Sequence, residues 1–88
     1  MAHTPLEELS AALNDAKEKV AIGSLYAHYK HPEQHYLVTG VAIQEADEAV
    51  VVIYEAQYGD NVLFTRPLSS WLEEVEHEGQ MLPRFVRA

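Results

Sequence analysis

Two arginines in the last third of the chain are the side chains best suited to bind an anion. Arg66 stands immediately before a proline, and Arg84 stands between a proline and a phenylalanine. A guanidinium offers five donors in a planar fork, which suits a carboxylate, a phosphate or an aromatic face. If the two arginines converge, they form a small anion site. The alternative is a structural role for Arg66, either in an ion pair with Asp60, Glu55 or Glu73 or in capping carbonyl groups freed by Pro67.

Aromatic side chains are numerous for a chain of this size, with five tyrosines, two phenylalanines and one tryptophan. Aromatic-lined grooves on small barrels recognise extended or proline-rich peptides, and tyrosine hydroxyls add polar handles. Tyr54, Tyr58 and Trp71 are therefore candidate binding residues, together with the two arginines. The full aromatic set considered for such a groove is Tyr26, Tyr29, Tyr36, Tyr54, Tyr58 and Trp71. The competing interpretation is that Tyr54, Trp71 and Phe64 are simply the largest core residues.

Three histidines, His28, His31 and His35, lie within eight residues of one another. Imidazole binds zinc or nickel, but this spacing does not suit one helix face, and no cysteine is available to complete a site. Pro32 predicts that His31 and His35 lie in a turn. We predict no metal site, with His28 paired to a neighbouring acid, and keep His28 as a candidate ligand-binding residue.

Catalytic machinery is not evident from the sequence. Ser24, Ser69 and Ser70 lack a glycine elbow, no glycine-rich phosphate loop is present, and adjacent glutamates would point to opposite faces of a strand. We therefore predict no catalytic residue and no cofactor. The alternative is a small enzyme for a phosphorylated or nucleotide-like metabolite, which would use His28, Tyr58, Asp60 and Arg66.

The candidate binding side chains must be positioned by the elements that the rest of the sequence predicts. From Leu25 onward the chain has short runs rich in Val, Ile, Tyr and Phe, and turn residues interrupt them about every ten positions. They predict antiparallel strands at 25–29, 36–43, 49–57, 62–66, 73–77 and 82–86. The apolar run at 49–54 is predicted to be the central strand. Hairpin turns are predicted at 59–61 and 78–80, and a single helical turn after Pro67. Such short strands favour a small, partly closed barrel of five to six strands.

An amphipathic helix is predicted before these strands, from about Pro5 to Val20. Thr4 and Glu7 have the spacing of a capping box. The apolar positions form one narrow stripe, Leu6, Leu9, Leu13, Ala16 and Val20, spaced alternately three and four residues apart. This stripe packs either on the rest of the domain or on a second copy, forming a homodimer. We divide the chain into a helix at 1–22 and a β domain at 23–88.

Composition excludes several classes of partner. The chain has 88 residues, a net charge of −8 and a pI near 4.9, which opposes binding to the phosphate backbone of nucleic acids. It has no cysteine, no basic and apolar leader, and no apolar run of membrane-spanning length. We predict a cytoplasmic protein with neither nucleic acid nor membrane as a partner.

The order of several short motifs resembles a bacterial family, the domain of unknown function numbered 1653. The resemblance covers about residues 23–86. It rests on an opening with Gly23, Tyr26, His28, Tyr29 and Lys30; on Tyr36 and Val52-Ile53-Tyr54; and on Tyr58-Gly59-Asp60, Arg66-Pro67-Leu68, Trp71 and Pro83-Arg84-Phe85. The sequence departs from the family pattern at Leu25, at His31-Pro32, and at Gln44 to Asp47, where similar sequences often carry a histidine.

This resemblance implies an SH3-like barrel, in agreement with the predicted strands. It does not imply an activity. Together with the arginines and aromatic residues, it favours a noncatalytic binding or accessory module. The predicted partner is a protein segment or a small anionic ligand. The candidate binding residues are Tyr58, Asp60, Arg66, Trp71, Arg84, His28 and Tyr54.

Overall fold

The computed structural model describes residues 4–88, which form one N-terminal helix followed by two antiparallel sheets that do not close fully. The elements are α1 (Leu6–Lys19), β1 (Leu25–His28), β2 (His31–Gln44), β3 (Ala49–Ala56), β4 (Leu63–Pro67), α2 (Leu68–Trp71), β5 (Glu74–His77), β6 (Gln80–Pro83) and β7 (Phe85–Arg87). The predicted mainly-β fold with a leading helix is confirmed, although it has seven strands rather than five to six. The SH3-like label stays a prediction.

The larger sheet has five strands in the order β4-β3-β2-β1-β7, and β5 and β6 form a second sheet of two strands. The prediction that the run at 49–54 is the central strand is wrong. The centre belongs to β2, which is 14 residues long and pairs with β1 along one part and with β3 along another. The run itself lies in β3, an interior strand, where Val51 and Val52 are both buried although they point to opposite faces.

A β-bulge at Thr39 explains why β2 does not alternate regularly in sequence. Val38 pairs with Tyr54 and Gly40 pairs with Ile53, so Thr39 is the extra residue. The Thr39 hydroxyl donates to the Ile53 carbonyl at 3.3 Å. The bulge shifts the alternation of side chains between the two faces of the sheet by one residue. Val41, rather than Gly40, therefore lies on the same face as Val38 and packs against the core cluster.

The first hairpin turn is shorter than the sequence suggests. β2 begins at His31, directly after the Tyr29-Lys30 turn, so the prediction that His31 and His35 lie in a turn is wrong. His28 pairs with His31 and Ala27 with His35, which leaves residues 32–34 unpaired against β1. A proline is tolerated there because it removes no hydrogen bond from the β1–β2 ladder.

The two predicted glycine hairpins are confirmed. Gly59 and Asn61 have φ values of 59° and 54°, and the Asn61 side chain donates to the Ala56 carbonyl at 2.9 Å. Glu78 and Gly79 form a two-residue loop with φ values of 52° and 80°. Positive φ at both positions is the geometry of a type I′ turn, whose twist matches that of the strands.

The predicted strand at 82–86 is two strands in different sheets. Pro83 ends β6 opposite Glu74, whereas Phe85 begins β7 opposite His28. Between them, the Arg84 N–H donates to the Glu73 carbonyl at 2.9 Å, and its carbonyl accepts from the Tyr29 N–H at 3.1 Å. These two bonds connect the sheets, and they divide the run at Arg84.

Helix α1 begins differently from the prediction. Its N-cap is Pro5, without a side-chain cap, so the capping box is wrong. The Thr4 hydroxyl instead donates to Glu48 Oε1 at 2.8 Å, and its N–H to Oε2 at 3.3 Å. Ala16 and Val20 are buried, whereas Leu6 is 81% exposed. The C-terminal half of the apolar stripe therefore packs on the domain, and a homodimer through the helix stays a prediction.

One aromatic core joins the elements, and it is formed by buried side chains of α2, of four strands and of the residue that follows α1. Its central contact is a parallel stack of Trp71 on Phe85, with ring centroids 3.8 Å apart and planes 7° apart. The buried residues of the cluster are Val20, Tyr26, Val38, Val52, Tyr54, Trp71 and Phe85. No helix in residues 4–88 is long and apolar enough to cross a membrane.

Candidate functional site

A groove lies on the face of the larger sheet that also carries the core. Paired residues of antiparallel strands share a face, so Phe64 lies beside Tyr54, and Arg66 lies beside Val52. On the other side, Phe85 lies beside His28. The groove has a volume of about 290 Å³, and its lining residues are His28, His31, Tyr36, Tyr54, Phe64, Arg66 and Phe85.

Aromatic rings form most of the groove wall. The Tyr54 ring stacks against Phe64 at 5.6 Å, with an interplanar angle of 28°, and meets the Tyr36 ring edge-on at 5.5 Å. Tyr36 lies 6.2 Å from Phe85, also edge-on. Such offset and edge-to-face contacts are favourable for aromatic pairs. The wall is thus formed by packing among the rings, and Phe64 remains 42% exposed.

Arg66 supplies positive charge to this groove. Its Nη1 donates to the Ser70 hydroxyl at 3.0 Å, and its Cζ lies 5.4 Å from the centroid of the Phe85 ring. Within residues 4–88 no carboxylate lies within 4 Å of the guanidinium, so the ion pairs considered for Arg66 do not form. Its Nε is buried and has no hydrogen-bond partner in that range. Arg66 therefore keeps unused donors beside the groove.

His28 contributes a neutral imidazole. Burial lowers the pKa of His28 below its usual 6.5, and the nearby positive charges of Arg66 and Arg84 lower it further. The His28 Nδ1 accepts a hydrogen bond from the Lys30 N–H at 3.2 Å. No acid in the described part of the chain lies within ion-pair distance of His28, so its predicted pairing with an acid is wrong. Near neutral pH the groove is therefore cationic through Arg66.

Tyr36 and Tyr58 form a hydroxyl pair at one side of the groove. Their oxygens lie 2.7 Å apart, and their rings meet edge-on at 5.6 Å. Burial raises the pKa of Tyr36 to about 12, and the hydrogen bond to Tyr58 adds to the rise. Tyr36 therefore stays protonated at any physiological pH, and it presents a hydroxyl rather than a charge.

Arg84 has a different role from Arg66. Its Nη2 donates to Glu73 Oε1 at 2.7 Å, which forms an ion pair at the start of the β5–β6 hairpin. Arg84 does not line the groove, although its charge lowers the pKa of His28. The two arginines thus lie near the same histidine, but of these two it is Arg66 that faces the groove and has no carboxylate partner within residues 4–88.

The candidate residues divide into three groups. His28, Tyr54 and Arg66 line the groove together. Tyr58 reaches it through its bond to Tyr36. Three others do not line it: Trp71 is 3% exposed and lies in the core, Arg84 pairs with Glu73, and Asp60 lies in the exposed turn before β4.

Four groove residues are not among the candidate binding residues: His31, Tyr36, Phe64 and Phe85. Of these, Tyr36 belongs to the set of tyrosines for which the sequence predicted an aromatic groove. The place of Phe64 in the groove could have been predicted from the sequence. Phe64 lies two residues before Arg66, and the hairpin at Gly59 places it opposite Tyr54. Phe85 required the pairing of β1 with β7, which connects distant parts of the chain. Tyr36 required the register of β2 on β3, in which Tyr36 pairs with Ala56 and Val38 with Tyr54. In residues 4–88 no three His, Asp or Glu side chains are grouped to hold a metal ion.

Comparison with known proteins agrees with this fold. Residues 24–87 match the family described as a protein of unknown function, DUF1653. The chain belongs to this family. A crystal structure of a DUF1653 protein from Bordetella bronchiseptica superposes with a TM-score of 0.65 and 33% sequence identity, covering 76% of this chain and 86% of that chain. No curated protein sequence is significantly similar. Membership in DUF1653 confirms the resemblance and assigns no activity.

Proposed function

We propose that this DUF1653 protein is a noncatalytic binding module whose groove holds an anionic group attached to an apolar body. The observation that carries the proposal is Arg66, which lines an aromatic groove without a carboxylate neighbour in residues 4–88. The whole chain has a net charge of −8. A guanidinium left without an acid on so acidic a protein favours a ligand that supplies the negative charge.

The volume of the groove limits the size of that ligand, and the lining residues determine which of its groups they contact. A volume of about 290 Å³ is at the lower end for ligand pockets, which span roughly 300–1,000 Å³. One ring with an acidic substituent fits such a space. The ring would contact Tyr54 and Phe64, and the acidic group would accept hydrogen bonds from Arg66. The neutral His28 imidazole adds a polar group without adding charge.

Binding of phenyl phosphate, followed by titration calorimetry, tests the proposal. Arg66→Gln should weaken binding about tenfold to a hundredfold, because a charge-assisted hydrogen bond is lost. Arg87→Gln is the matched control: it removes the same charge from an exposed β7 residue that bonds Ser24 at 3.0 Å and does not line the groove. It should leave affinity nearly unchanged.

Two results would contradict the proposal. One is equal affinity for phenyl phosphate in the wild type and in Arg66→Gln. The other is equal binding of benzyl alcohol, which keeps the ring without the charge. Both variants must retain the wild-type midpoint of urea unfolding, so that a loss of affinity does not reflect a loss of fold.

A second candidate function is hydrolysis of a phosphorylated or nucleotide-like metabolite. One observation favours it: the neutral imidazole of His28 lines the same groove as Arg66, and an imidazole that is unprotonated near pH 7 can serve as a general base. Phosphate release from phenyl phosphate, with water as the second reactant, tests this function. Release that disappears in His28→Asn while binding persists would favour the enzyme; binding without release would favour the noncatalytic module.

A further inference from the structure

The outer edge of β4 is open, and it adjoins the groove. β4 is the last strand of the larger sheet, and along residues 4–88 it pairs only with β3. Val62, Leu63 and Phe64 at its start are 50%, 60% and 42% exposed. An edge strand with free backbone groups and exposed apolar side chains is a template for pairing with another strand.

The hydrogen-bond phase of β4 shows which backbone groups are free. The Ala56 N–H donates to the Val62 carbonyl at 2.9 Å, and bonded pairs recur at every second residue of an antiparallel ladder. Phe64 and Arg66 therefore bond to β3, whereas Leu63 and Thr65 direct their N–H and C=O groups outward. Pro67 occupies the next outward position, where the missing N–H removes no bond from the existing ladder.

The side chains beside this edge belong to the groove. Phe64 and Arg66 share the groove face of β4, because they are two residues apart in a strand. A strand added at the edge would place its own alternate side chains beside these two. One extended segment would thus form backbone hydrogen bonds with Leu63 and Thr65. The same segment would make side-chain contacts with Phe64 and Arg66.

We propose that the natural partner is an extended acidic segment of another protein, added antiparallel to β4. Its acidic side chain pairs with Arg66, and an apolar side chain two residues later packs on Phe64. This inference rests on the proposed function, since it identifies the anion of the groove as a peptide carboxylate. Charge complementarity with Arg66 selects an acidic segment, and a net charge of −8 on each copy disfavours self-pairing.

The probe is the blocked peptide Ac-Thr-Thr-Glu-Thr-Val-Thr-NH₂, which offers a glutamate and a valine two residues apart on one face. Amide hydrogen exchange in the full chain provides the direct readout. The peptide should slow exchange of the Leu63 and Thr65 amides, which face outward, and should change the Phe64 and Arg66 amides much less. The same peptide with glutamine in place of glutamate should bind about tenfold more weakly.

Thr65→Pro separates this inference from the proposed function. The substitution removes one outward N–H and leaves the β3–β4 ladder intact, because Thr65 is not in a bonded pair. Peptide affinity should fall about tenfold, while phenyl phosphate should bind as it does to the wild type. Thr65→Ala is the matched control, since it removes the side chain but keeps the N–H, and should retain peptide binding.

Several results would overturn the inference while leaving the proposed function intact. One is phenyl phosphate binding with no peptide-dependent protection of Leu63 and Thr65 in the wild type. Another is equal peptide affinity in Thr65→Pro and Thr65→Ala. A third is protection of the same amides that grows with protein concentration without peptide, because the occupant would then be a second copy. The exchange measurement on the wild type remains decisive even if Thr65→Pro fails to fold.

Discussion

The Phe85 ring contacts two different regions of the molecule: the packed core, through Trp71, and the groove, through Arg66. On the core side, Trp71 stacks on Phe85 at 3.8 Å and is 3% exposed. On the groove side, Arg66 lies 5.4 Å from the same ring, and Phe64 is 42% exposed. One ring thus belongs to both the packed core and the wall of the groove.

Two residues can therefore belong to neighbouring sequence motifs and still differ in role, one in binding and the other in core packing. The Arg66-Pro67-Leu68 motif and the nearby Trp71 both belong to the motifs on which the family resemblance rests, yet the arginine lines the groove and the tryptophan fills the core. Position decides between them: Arg66 lies on the groove face of an edge strand, whereas Trp71 lies in α2, packed against β3 and Phe85.

The largest expected effect comes from removing the core side. Trp71→Ala should lower the free energy of unfolding by about 3–5 kcal/mol, because it deletes a buried aromatic side chain and leaves a cavity. Phe64→Ala should cost much less, since Phe64 is exposed on the groove side. Urea denaturation monitored by circular dichroism measures both. Equal losses would contradict the division into core and groove.

Local signals in the sequence predicted much of the fold. Alternation and turn residues placed β1, β3, β4 and β5, the hairpins at Gly59 and Gly79, and the helical turn after Pro67 close to their observed positions. These features depend on a few neighbouring residues. The bulge at Thr39 and the division of the last strand at Arg84 depend on hydrogen bonds to Ile53, Glu73 and Tyr29, which are distant in sequence.

The candidate site was predictable in part for the same reason. Arg66 and Tyr54 stand on strands joined by a recognisable hairpin, so their shared face follows from register. Trp71 was a candidate because aromatic residues serve both binding and packing, and composition does not separate the two uses. Glu73 was considered as a partner for Arg66, but it pairs with Arg84, which adjoins it only because the sheets meet at that point.

A smaller effect should distinguish the two arginines. Arg84→Gln and Glu73→Gln should each lower the free energy of unfolding by about 1 kcal/mol or less, because the ion pair is partly exposed, and together they should show a coupling of the same order. Arg66→Gln combined with Glu73→Gln should be additive. A double-mutant cycle in urea measures both couplings. Additivity in the Arg84 cycle, or coupling in the Arg66 cycle, would contradict the assigned roles.

The last effect concerns Tyr36, on the groove side, and it is absent near neutral pH because it appears only in alkali. Its pKa is raised from 10.0 to about 12 in the folded chain, so the folded state holds this proton more tightly than the unfolded state. The resulting stabilisation is fully present below pH 10 and is lost as the pH rises towards 12. Absorbance of the phenolate should show one tyrosine titrating near pH 12. Tyr58→Phe should lower the pKa of Tyr36 only partly, since burial remains the larger cause after the hydroxyl bond is removed; a return to 10.0 would instead identify the hydrogen bond, not burial, as the dominant cause.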